Sequence, residues 1–369
     1  MSGAVSRVAA RLELPETASW FRAPGRVNLI GDHTDYNEGF VLPVAIDLDC
    51  VVAALPGASV RVTSLELDDA VELPPDGGGD LAAESRGWAR LVVAVAQELA
   101  RIGRPPVGVD ALVASDVPIG SGLSSSAAFE VVCAVALAAA GDWDADPVAL
   151  ARACRAAEER ATGVPCGIMD QLVALVGRAG CALLIDCRSL ETRAVALPEK
   201  AAALVVHSGQ PRTLAGSAYG ERRRGCEALA QRLGVPALRD ATPAQVADEP
   251  LGRHVVSENE RVLAAVAALE SGDLARLGSL LSASHTSLRD DFRVSTRELD
   301  ALVEELVAAG AYGARLTGAG FGGSVVAICD SDAVARVSEV ATARYRRRTG
   351  REPQAFTCRA VDGAGPLAP

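Results

Sequence analysis

Residues 107–140 constrain the fold of this chain more than any other stretch. The segment VGVDALVAS at 107–115 alternates apolar and polar residues, which predicts a β-strand with one face on a core. It leads into the loop VPIGSGLSSS, and FEVVCAVALAAA at 129–140 then predicts a buried helix that is too short to span a bilayer. The fold must therefore bury this helix directly behind a polar loop.

The loop between this strand and helix has the features of an anion-binding site. Gly120 and Gly122 let backbone N–H groups approach a phosphate, and the helix N-terminus adds free donors and a positive dipole. The hydroxyls of Ser124, Ser125 and Ser126 could reach phosphate oxygens or a magnesium ion. The alternative is an ordinary serine-capped helix, for which one serine would be enough. Two glycines and three serines favour phosphate binding.

Lysine usage excludes several classes of enzyme. All 36 basic residues except Lys200 are arginines, and Lys200 lies in the polar turn LPEK. A Walker A loop, a protein-kinase strand and a pyridoxal phosphate site each need a lysine beside the bound group. The net charge of −11 argues against broad binding to nucleic acid or to an anionic membrane. Any phosphate site must therefore be local.

A second glycine-rich segment, LTGAGFGGSVVAI at 316–328, contains the spacing GxGxxG at Gly318, Gly320 and Gly323. A dinucleotide fingerprint needs a helix after its loop, whereas SVVAIC predicts a strand, so a nicotinamide-dependent oxidoreductase is not supported. We expect a hairpin that either presses its backbone against a substrate or is only a tight turn between strands.

Polar side chains crowd into APGRVNLIGDHTDYN at 23–37. Carboxylates and amides at such turns suit hydrogen bonding to a polyol, and an arginine suits a phosphate. Turn chemistry alone explains about half of them. A metal site of Asp32, His33 and Asp35 is a further option, less favoured because no histidine cluster supports it. Farther along, Asp170 in VPCGIMDQLVAL could be catalytic or could only interact with a helix N-terminus.

The chain of 369 residues is long enough for two domains, each with its own core. Further helices are predicted at 87–101, 147–162, 167–176 and between 217 and 309, and further strands at 180–189 and 203–209. Because they mix without strict βαβ alternation, the fold class is α+β. We place the boundary near residue 190, which gives domains 1–190 and 191–369. Nine cysteines without a CxxC pair indicate reduced thiols, and the absence of a recognisable secretory signal predicts a cytoplasmic protein.

Together the motifs resemble the galactokinase branch of the GHMP kinases, the superfamily of galactokinase, homoserine kinase, mevalonate kinase and phosphomevalonate kinase. The family pattern GRVNLIGEHTDYN is GRVNLIGDHTDYN at 25–37, and PIGSGLSSSAA at 118–128, CGIMDQ at 166–171 and TGAGFGGS at 317–324 follow in the family's order. The resemblance runs nearly end to end. It implies a two-domain GHMP kinase fold with the active site in the cleft between domains, and phosphorylation of the anomeric hydroxyl of galactose by ATP with Mg²⁺.

The resemblance also implies roles for individual residues. Asp170 matches the catalytic aspartate, which accepts or orients the proton of the anomeric hydroxyl, and Arg26 matches the arginine beside it. The expected ATP contacts are Gly120, Ser121, Gly122, Leu123, Ser124, Ser125, Ser126 and Ala127, with Trp88 flanking the adenine. The expected magnesium ligands are Ser126 and Glu158. The expected sugar contacts are Asp32, His33, Asp35, Gly167 and Tyr219, and the third motif comprises Gly318, Gly320, Gly322 and Gly323.

Asp32 departs from the family pattern, which has a glutamate here. Its side chain is shorter by roughly 1.5 Å, enough to turn a direct hydrogen bond to the far sugar hydroxyls into a water-bridged one or none. Galactose stays the first choice of substrate, with another aldose or a cyclitol as the alternative. A non-catalytic sugar-sensing regulator is disfavoured because SSSAA, Asp170 and Arg26 are intact. We expect a monomer or weak dimer that binds a sugar and neither nucleic acid nor membrane.

Overall fold

The computed structural model describes residues 3–11, 17–210 and 215–368. Its helices are α1 (Gly3–Arg11), α2 (Gly87–Arg101), α3 (Ser125–Ala140), α4 (Pro147–Thr162), α5 (Met169–Val176), α6 (Ala215–Leu233), α7 (Pro250–Glu270), α8 (Leu274–Asp290), α9 (Arg297–Ala308) and α10 (Val334–Thr349). Its strands are β1 (Ser19–Asn28), β2 (Phe40–Val41), β3 (Pro43–Gly57), β4 (Val60–Ser64), β5 (Asp69–Leu73), β6 (Gly108–Ser115), β7 (Cys181–Asp186), β8 (Thr192–Ala196), β9 (Ala201–His207), β10 (Gly313–Thr317), β11 (Ser324–Asp330), β12 (Gln354–Cys358) and β13 (Gly365–Pro366).

The largest sheet has six strands in the order β13-β1-β3-β6-β4-β5. Side chains alternate between its two faces, so Val52 of β3 joins the main core with α2 and α3, while Val51 faces the other way. The short helix α1 covers that second face, where Val5 and Val8 pack with Trp20. The strand predicted at 107–115 is β6, inside this sheet, and the buried helix predicted after it is α3.

Two smaller sheets complete the fold, a four-stranded one in the order β10-β11-β9-β12 and a three-stranded one in the order β2-β7-β8. β10 and β11 are antiparallel neighbours, which confirms the predicted hairpin and excludes a βαβ dinucleotide unit at this loop. α8, α9 and α10 lie against the four-stranded sheet, over a second core that includes Phe292, Leu316 and Tyr345.

The predicted helices at 87–101 and 147–162 are α2 and α4, and the helix predicted at 167–176 begins two residues later, at Met169. All nine cysteines are free thiols, as expected. No helix within the described ranges combines the length and apolar character needed to cross a bilayer.

Strand pairing ties the two halves of the chain together. β8 follows the predicted boundary at residue 190 and pairs with β7, and β13 returns to β1 in the first sheet. The α+β class is confirmed by this mixture of sheets and helices. The division into 1–190 and 191–369 stays a prediction.

Candidate active site

A cavity of about 340 Å³ lies where the sequence motifs converge. The predicted site residues that line it are Arg26, Asp32, His33, Asp35, Gly120, Gly122, Ser124, Ser125, Ser126, Glu158, Gly167, Asp170, Tyr219 and Gly318. Val164, Cys166, Met169, Gln171 and Ala319 complete the lining. The phosphate loop and the polar motif at 25–37 thus face one space.

The other predicted site residues lie outside this lining: Ser121, Leu123, Ala127, Trp88, Gly320, Gly322 and Gly323. Leu123 and Ala127 are fully buried, so their side chains support the loop from behind. Trp88 packs edge-on against Phe129 of α3 with ring centroids 6.4 Å apart. The contact of Trp88 with adenine therefore stays a prediction.

β1 is held directly against the phosphate loop. Its pairing with β3 is irregular between Pro24 and Arg26, a local change of register that re-aims the following side chain. Only glycine fits at position 25, because an added Cβ would lie 2.8 Å from the carbonyl oxygen of Leu123. The Arg26 N–H donates to that same oxygen at 3.0 Å. The backbone contact places the Arg26 side chain beside the loop.

Arg26 forms a bidentate ion pair with Asp170, which lies in the first turn of α5. Its Nε and Nη2 each donate to a carboxylate oxygen of Asp170 at 2.7 Å. Ser124 donates a further short hydrogen bond to Asp170 Oδ2. The Asp170 side chain is 28% exposed, so this fixed carboxylate still faces the cavity.

Ser124 does not cap α3 in the ordinary way. Its backbone is left-handed, with φ of 61°, and its side chain makes no capping hydrogen bond. A non-glycine residue in this region stores strain, which at functional sites is retained for the geometry it provides. The interpretation of the serine cluster as a simple helix cap is therefore wrong, because the Ser124 hydroxyl is directed at Asp170 instead.

Ser126 and Glu158, the two predicted magnesium ligands, lie in direct contact. Ser126 Oγ donates to Glu158 Oε1 at 2.8 Å, and Gln171 Nε2 donates to Glu158 Oε2 at 2.7 Å. The same Gln171 nitrogen donates to Glu130 Oε2 at 3.1 Å. Burial raises the pKa of Glu158 and raises that of the fully buried Glu130 much further. A divalent cation would offset the cost of keeping Glu158 ionised here.

The far end of the cavity carries Asp35, His33, Gly167 and Tyr219. Gly167 is pressed against the Asp35 carboxylate, since an added Cβ would lie 1.5 Å from Asp35 Oδ2. Burial, and then the charge of Asp170, raise the pKa of Asp35 to about 6. Burial lowers the pKa of His33 well below its usual value, so this imidazole is neutral. The polar side chains at this end can donate hydrogen bonds to, and accept them from, the hydroxyl groups of a ligand.

Two residues of the C-terminal half of the chain bind the Asp32 carboxylate. Arg315, which is fully buried in β10, donates from Nη2 to Asp32 Oδ2 at 2.5 Å, and the Gly318 N–H donates to Oδ1 at 3.1 Å. Burial raises the pKa of Asp32, and the Arg315 charge opposes that shift. Both carboxylate oxygens thus have a protein partner before any sugar binds.

A metal site made of Asp32, His33 and Asp35 is not supported. Within the described part of the chain, no three His, Cys, Asp or Glu side chains are grouped so that they could hold a metal ion.

Three functional candidates escaped prediction from the sequence: Gln171, Glu130 and Arg315. Gln171 stands inside the motif CGIMDQ, next to Asp170. Glu130 is a single acid in an otherwise apolar helix, and Arg315 is a single cation in the buried strand GARLT. An isolated charge in an apolar element was therefore the available signal in two of the three cases.

In this cavity a glycine- and serine-rich loop between a strand and a helix faces a polar end, and an arginine holds a carboxylate between them. This arrangement is typical of small-molecule kinases of the GHMP class. The models of the GHMP kinase N-terminal domain and C-terminal region match residues 90–178 and 265–347, and the galactokinase galactose-binding signature matches residues 13–56. The chain belongs to the galactokinase family. It is 46% identical over 361 residues to the galactokinase of Roseiflexus sp. (strain RS-1), covering 93% of this chain and 92% of that protein.

Other relatives agree with this assignment. The galactokinase of Chloroflexus aurantiacus is 47% identical over 361 residues, with the same coverage of 93% and 92%. The crystal structure of Lactococcus lactis galactokinase complexed with galactose has a TM-score of 0.90 at 29% identity and covers 98% of each chain. Methanococcus jannaschii mevalonate kinase, at 17% identity and a TM-score of 0.67 over 94% of this chain and 100% of that one, shares the fold.

Proposed function

We propose that this protein transfers the γ-phosphoryl group of ATP to the anomeric hydroxyl of galactose, giving galactose 1-phosphate and ADP. The observation that carries the proposal is the position of Asp170, which faces the cavity between the phosphate loop and the polar end while Arg26 and Ser124 hold its two oxygens. Membership of the galactokinase family and the likeness to a galactose-bound galactokinase support the choice of substrate.

In the proposed mechanism Asp170 orients the attacking hydroxyl and takes up its proton. A phosphoryl transfer with a loose transition state needs alignment and charge neutralisation more than it needs a strong base. Because the carboxylate is fixed by three donated hydrogen bonds, its free lone pairs point in defined directions. The Arg26 charge also favours a negatively charged group nearby, which suits the approach of a phosphate.

The sugar is proposed to occupy the end lined by Asp35, His33, Gly167 and Tyr219. Asp35 can accept hydrogen bonds from two hydroxyls, and the rings of His33 and Tyr219, with centroids 5.6 Å apart, can cover an apolar face of the sugar. Asp32 lines the same cavity, but Arg315 and Gly318 already bind its oxygens. We therefore propose that Asp32 shapes the pocket and contacts the far hydroxyls through its remaining lone pairs or a water.

The ATP phosphates are proposed to lie on the loop from Gly120 to Ala127, at the N-terminus of α3, where backbone N–H groups and the helix dipole favour negative charge. Ser126 and Glu158 would hold Mg²⁺, whose chemistry is to neutralise charge on the phosphate oxygens. The residues fit such an ion, since a hydroxyl and a carboxylate oxygen lie 2.8 Å apart and Gln171 fixes the second carboxylate oxygen.

The decisive experiment measures ADP release with galactose and with a panel of other aldoses and cyclitols. Asp170→Ala is expected to lower kcat by several orders of magnitude with little change in ATP affinity. Asp144→Asn, at an exposed aspartate of a distant loop, is the control and should behave like the wild type. Near-normal turnover of the Asp170 variant would overturn the catalytic assignment, and a higher kcat/KM for another sugar would overturn galactose.

We also propose that the protein works in the cytoplasm as a monomer or weak dimer. Light scattering over a range of protein concentrations tests the oligomeric state, and a stable larger assembly would contradict it.

A further inference from the structure

A second cavity, which we call the rear cavity, lies behind the sugar end of the active site. It has a volume of about 420 Å³, within the range of small-molecule sites. Asp35, Cys166 and Gly167 line both cavities, so they form a shared wall. Nothing in the proposed phosphoryl transfer uses the rear cavity.

Four arginines line the rear cavity: Arg152, Arg155, Arg188 and Arg223. The carboxylates in its lining are Asp35 and Glu38, so cations outnumber anions on its surface. This is unusual for a protein with a net charge of −11, and it favours a ligand that is itself an anion.

Two of the arginines are held in place by carboxylates. Arg188 pairs with Glu38 at 2.6 Å and with Asp240, at 2.6 Å to one of its oxygens. Arg223 pairs with Glu227 at 2.9 Å and with Glu159 at 3.5 Å, and it donates to the carbonyl of Cys166 at 3.2 Å. Their charges are therefore matched mainly by groups outside the cavity lining.

The other two arginines have no such partners. Arg152 and Arg155 lie three residues apart on α4, which places both guanidinium groups on one face of the helix. Among the residues that the structure describes, neither side chain has an ion pair or a hydrogen bond, and Arg155 Nε is buried without a partner. A buried donor left unmatched costs free energy, which a ligand with acceptor oxygens would recover.

We propose that the rear cavity binds a phosphate dianion, either inorganic phosphate or the phosphate group of a sugar phosphate, through Arg152 and Arg155. Guanidinium groups match phosphate oxygens in a bidentate geometry, and the other two arginines of the lining add positive potential. An anion here would lie behind Asp35 and oppose its ionised form. In so far as the proposed function holds, bound phosphate should weaken galactose binding through the shared wall.

The test is isothermal titration of the full-length protein with inorganic phosphate, without sugar. A non-hydrolysable ATP analogue with Mg²⁺ fills the phosphate loop first, so that only a separate site is measured. We expect one saturable site in the wild type. Arg152→Ala should weaken phosphate binding on the order of tenfold, and Arg152→Ala/Arg155→Ala on the order of a hundredfold.

The matched control is Arg344→Ala/Arg347→Ala. These two exposed arginines also lie three residues apart on one helix, α10, and no described group pairs with either, but neither lines the rear cavity. The control should bind phosphate like the wild type. Because Arg152 is exposed, its single variant keeps the test informative even if the double variant folds poorly.

Absence of saturable binding in the wild type, or equal affinity in the wild type and the Arg152 variant, would overturn the proposal. A parallel titration with galactose 1-phosphate, in the wild type and in Arg152→Ala, separates the two sources. The sugar phosphate is identified by binding that is tighter than that of phosphate and is weakened in Arg152→Ala, because binding as product in the active site would not depend on Arg152. Equal, Arg152-dependent binding of the two ligands identifies the phosphate group alone. These titrations measure binding alone and do not depend on catalytic turnover. A protein that binds phosphate at this site but has no galactose kinase activity would therefore refute only the proposed function.

Discussion

Replacing Arg315 by methionine should expose how much the two halves of the chain depend on one buried ion pair. Arg315 and Asp32 are 0% and 3% exposed, and their closest atoms are 2.5 Å apart. Arg315 Nη1 also donates to the carbonyl of Leu29 at 3.1 Å. Methionine keeps most of the side-chain volume, so the loss is mainly electrostatic and not a cavity.

The expected loss in the free energy of unfolding depends on which charged group stays buried without its partner. Removing one partner of a buried pair leaves an uncompensated charge and costs about 3–5 kcal/mol. Asp32→Asn should cost a similar amount because it strands Arg315. Asp32→Asn/Arg315→Met leaves no buried charge without a partner, and the Asn amide oxygen can still accept the hydrogen bond from the Gly318 N–H. The double variant should therefore lose less than the sum of the two single variants, by about 2 kcal/mol or more.

Urea unfolding followed by circular dichroism on all four proteins measures this coupling. The pair of Arg346 and Glu352 is similarly close, at 2.7 Å, but is 52% and 74% exposed, so it provides a control cycle with Arg346→Met and Glu352→Gln. Its coupling should lie between about 0 and 1 kcal/mol. Additive losses at Asp32 and Arg315, within about 0.5 kcal/mol, would refute the reasoning.

Three further predictions concern the active site. Ser124→Gly is expected to raise the free energy of unfolding by up to about 1 kcal/mol, because glycine relieves the strain of the left-handed backbone. Its kcat should fall, because Asp170 loses a hydrogen-bond donor. Lower stability with a normal kcat would contradict both expectations. Gln171→Met should weaken the apparent Mg²⁺ affinity, measured by magnesium titration of turnover, more than the affinity for galactose, and equal losses would refute its link to Glu158. Since the pKa of Asp35 is about 6, the carboxylate becomes protonated below that pH, so the galactose dissociation constant should rise on acidification. Asp35→Asn should make the galactose dissociation constant nearly independent of pH. If the dissociation constant of the wild type does not change between about pH 5 and pH 8, Asp35 is not the group responsible.

Local sequence was sufficient for the features that depend on neighbours in the chain. The strand-loop-helix unit at 107–140 and the hairpin after Thr317 were predicted because periodicity and glycine placement act over a few residues. The family resemblance brought Asp170, Arg26 and the sugar motif into one cleft, and the structure places all of them on one cavity.

Long-range contacts were beyond such reasoning. Asp32 and Arg315 are 283 positions apart, and nothing in the local pattern pairs them. Gln171 bridges Glu130 and Glu158 only because α3, α4 and α5 pack together. The direction of the Ser124 hydroxyl depends on a left-handed backbone, which propensities do not predict for serine. The roles that the resemblance assigns to individual site residues stay predictions, and Trp88, Ser121 and the later glycines of the third motif also lie outside the cavity lining.

Buried hydrogen bonds join the second glycine-rich segment to the first half of the chain, and they limit how ligands can enter and leave. Thr317 Oγ1 donates to the Asn28 carbonyl at 3.0 Å, and Ser324 Oγ donates to the Ser121 carbonyl at 2.6 Å, both buried. A hinge that swung the halves apart would break these bonds together with the Asp32 ion pair, each at about 1 kcal/mol or more. The protein is therefore expected to exchange sugar and nucleotide without breaking these contacts between the two halves of the chain.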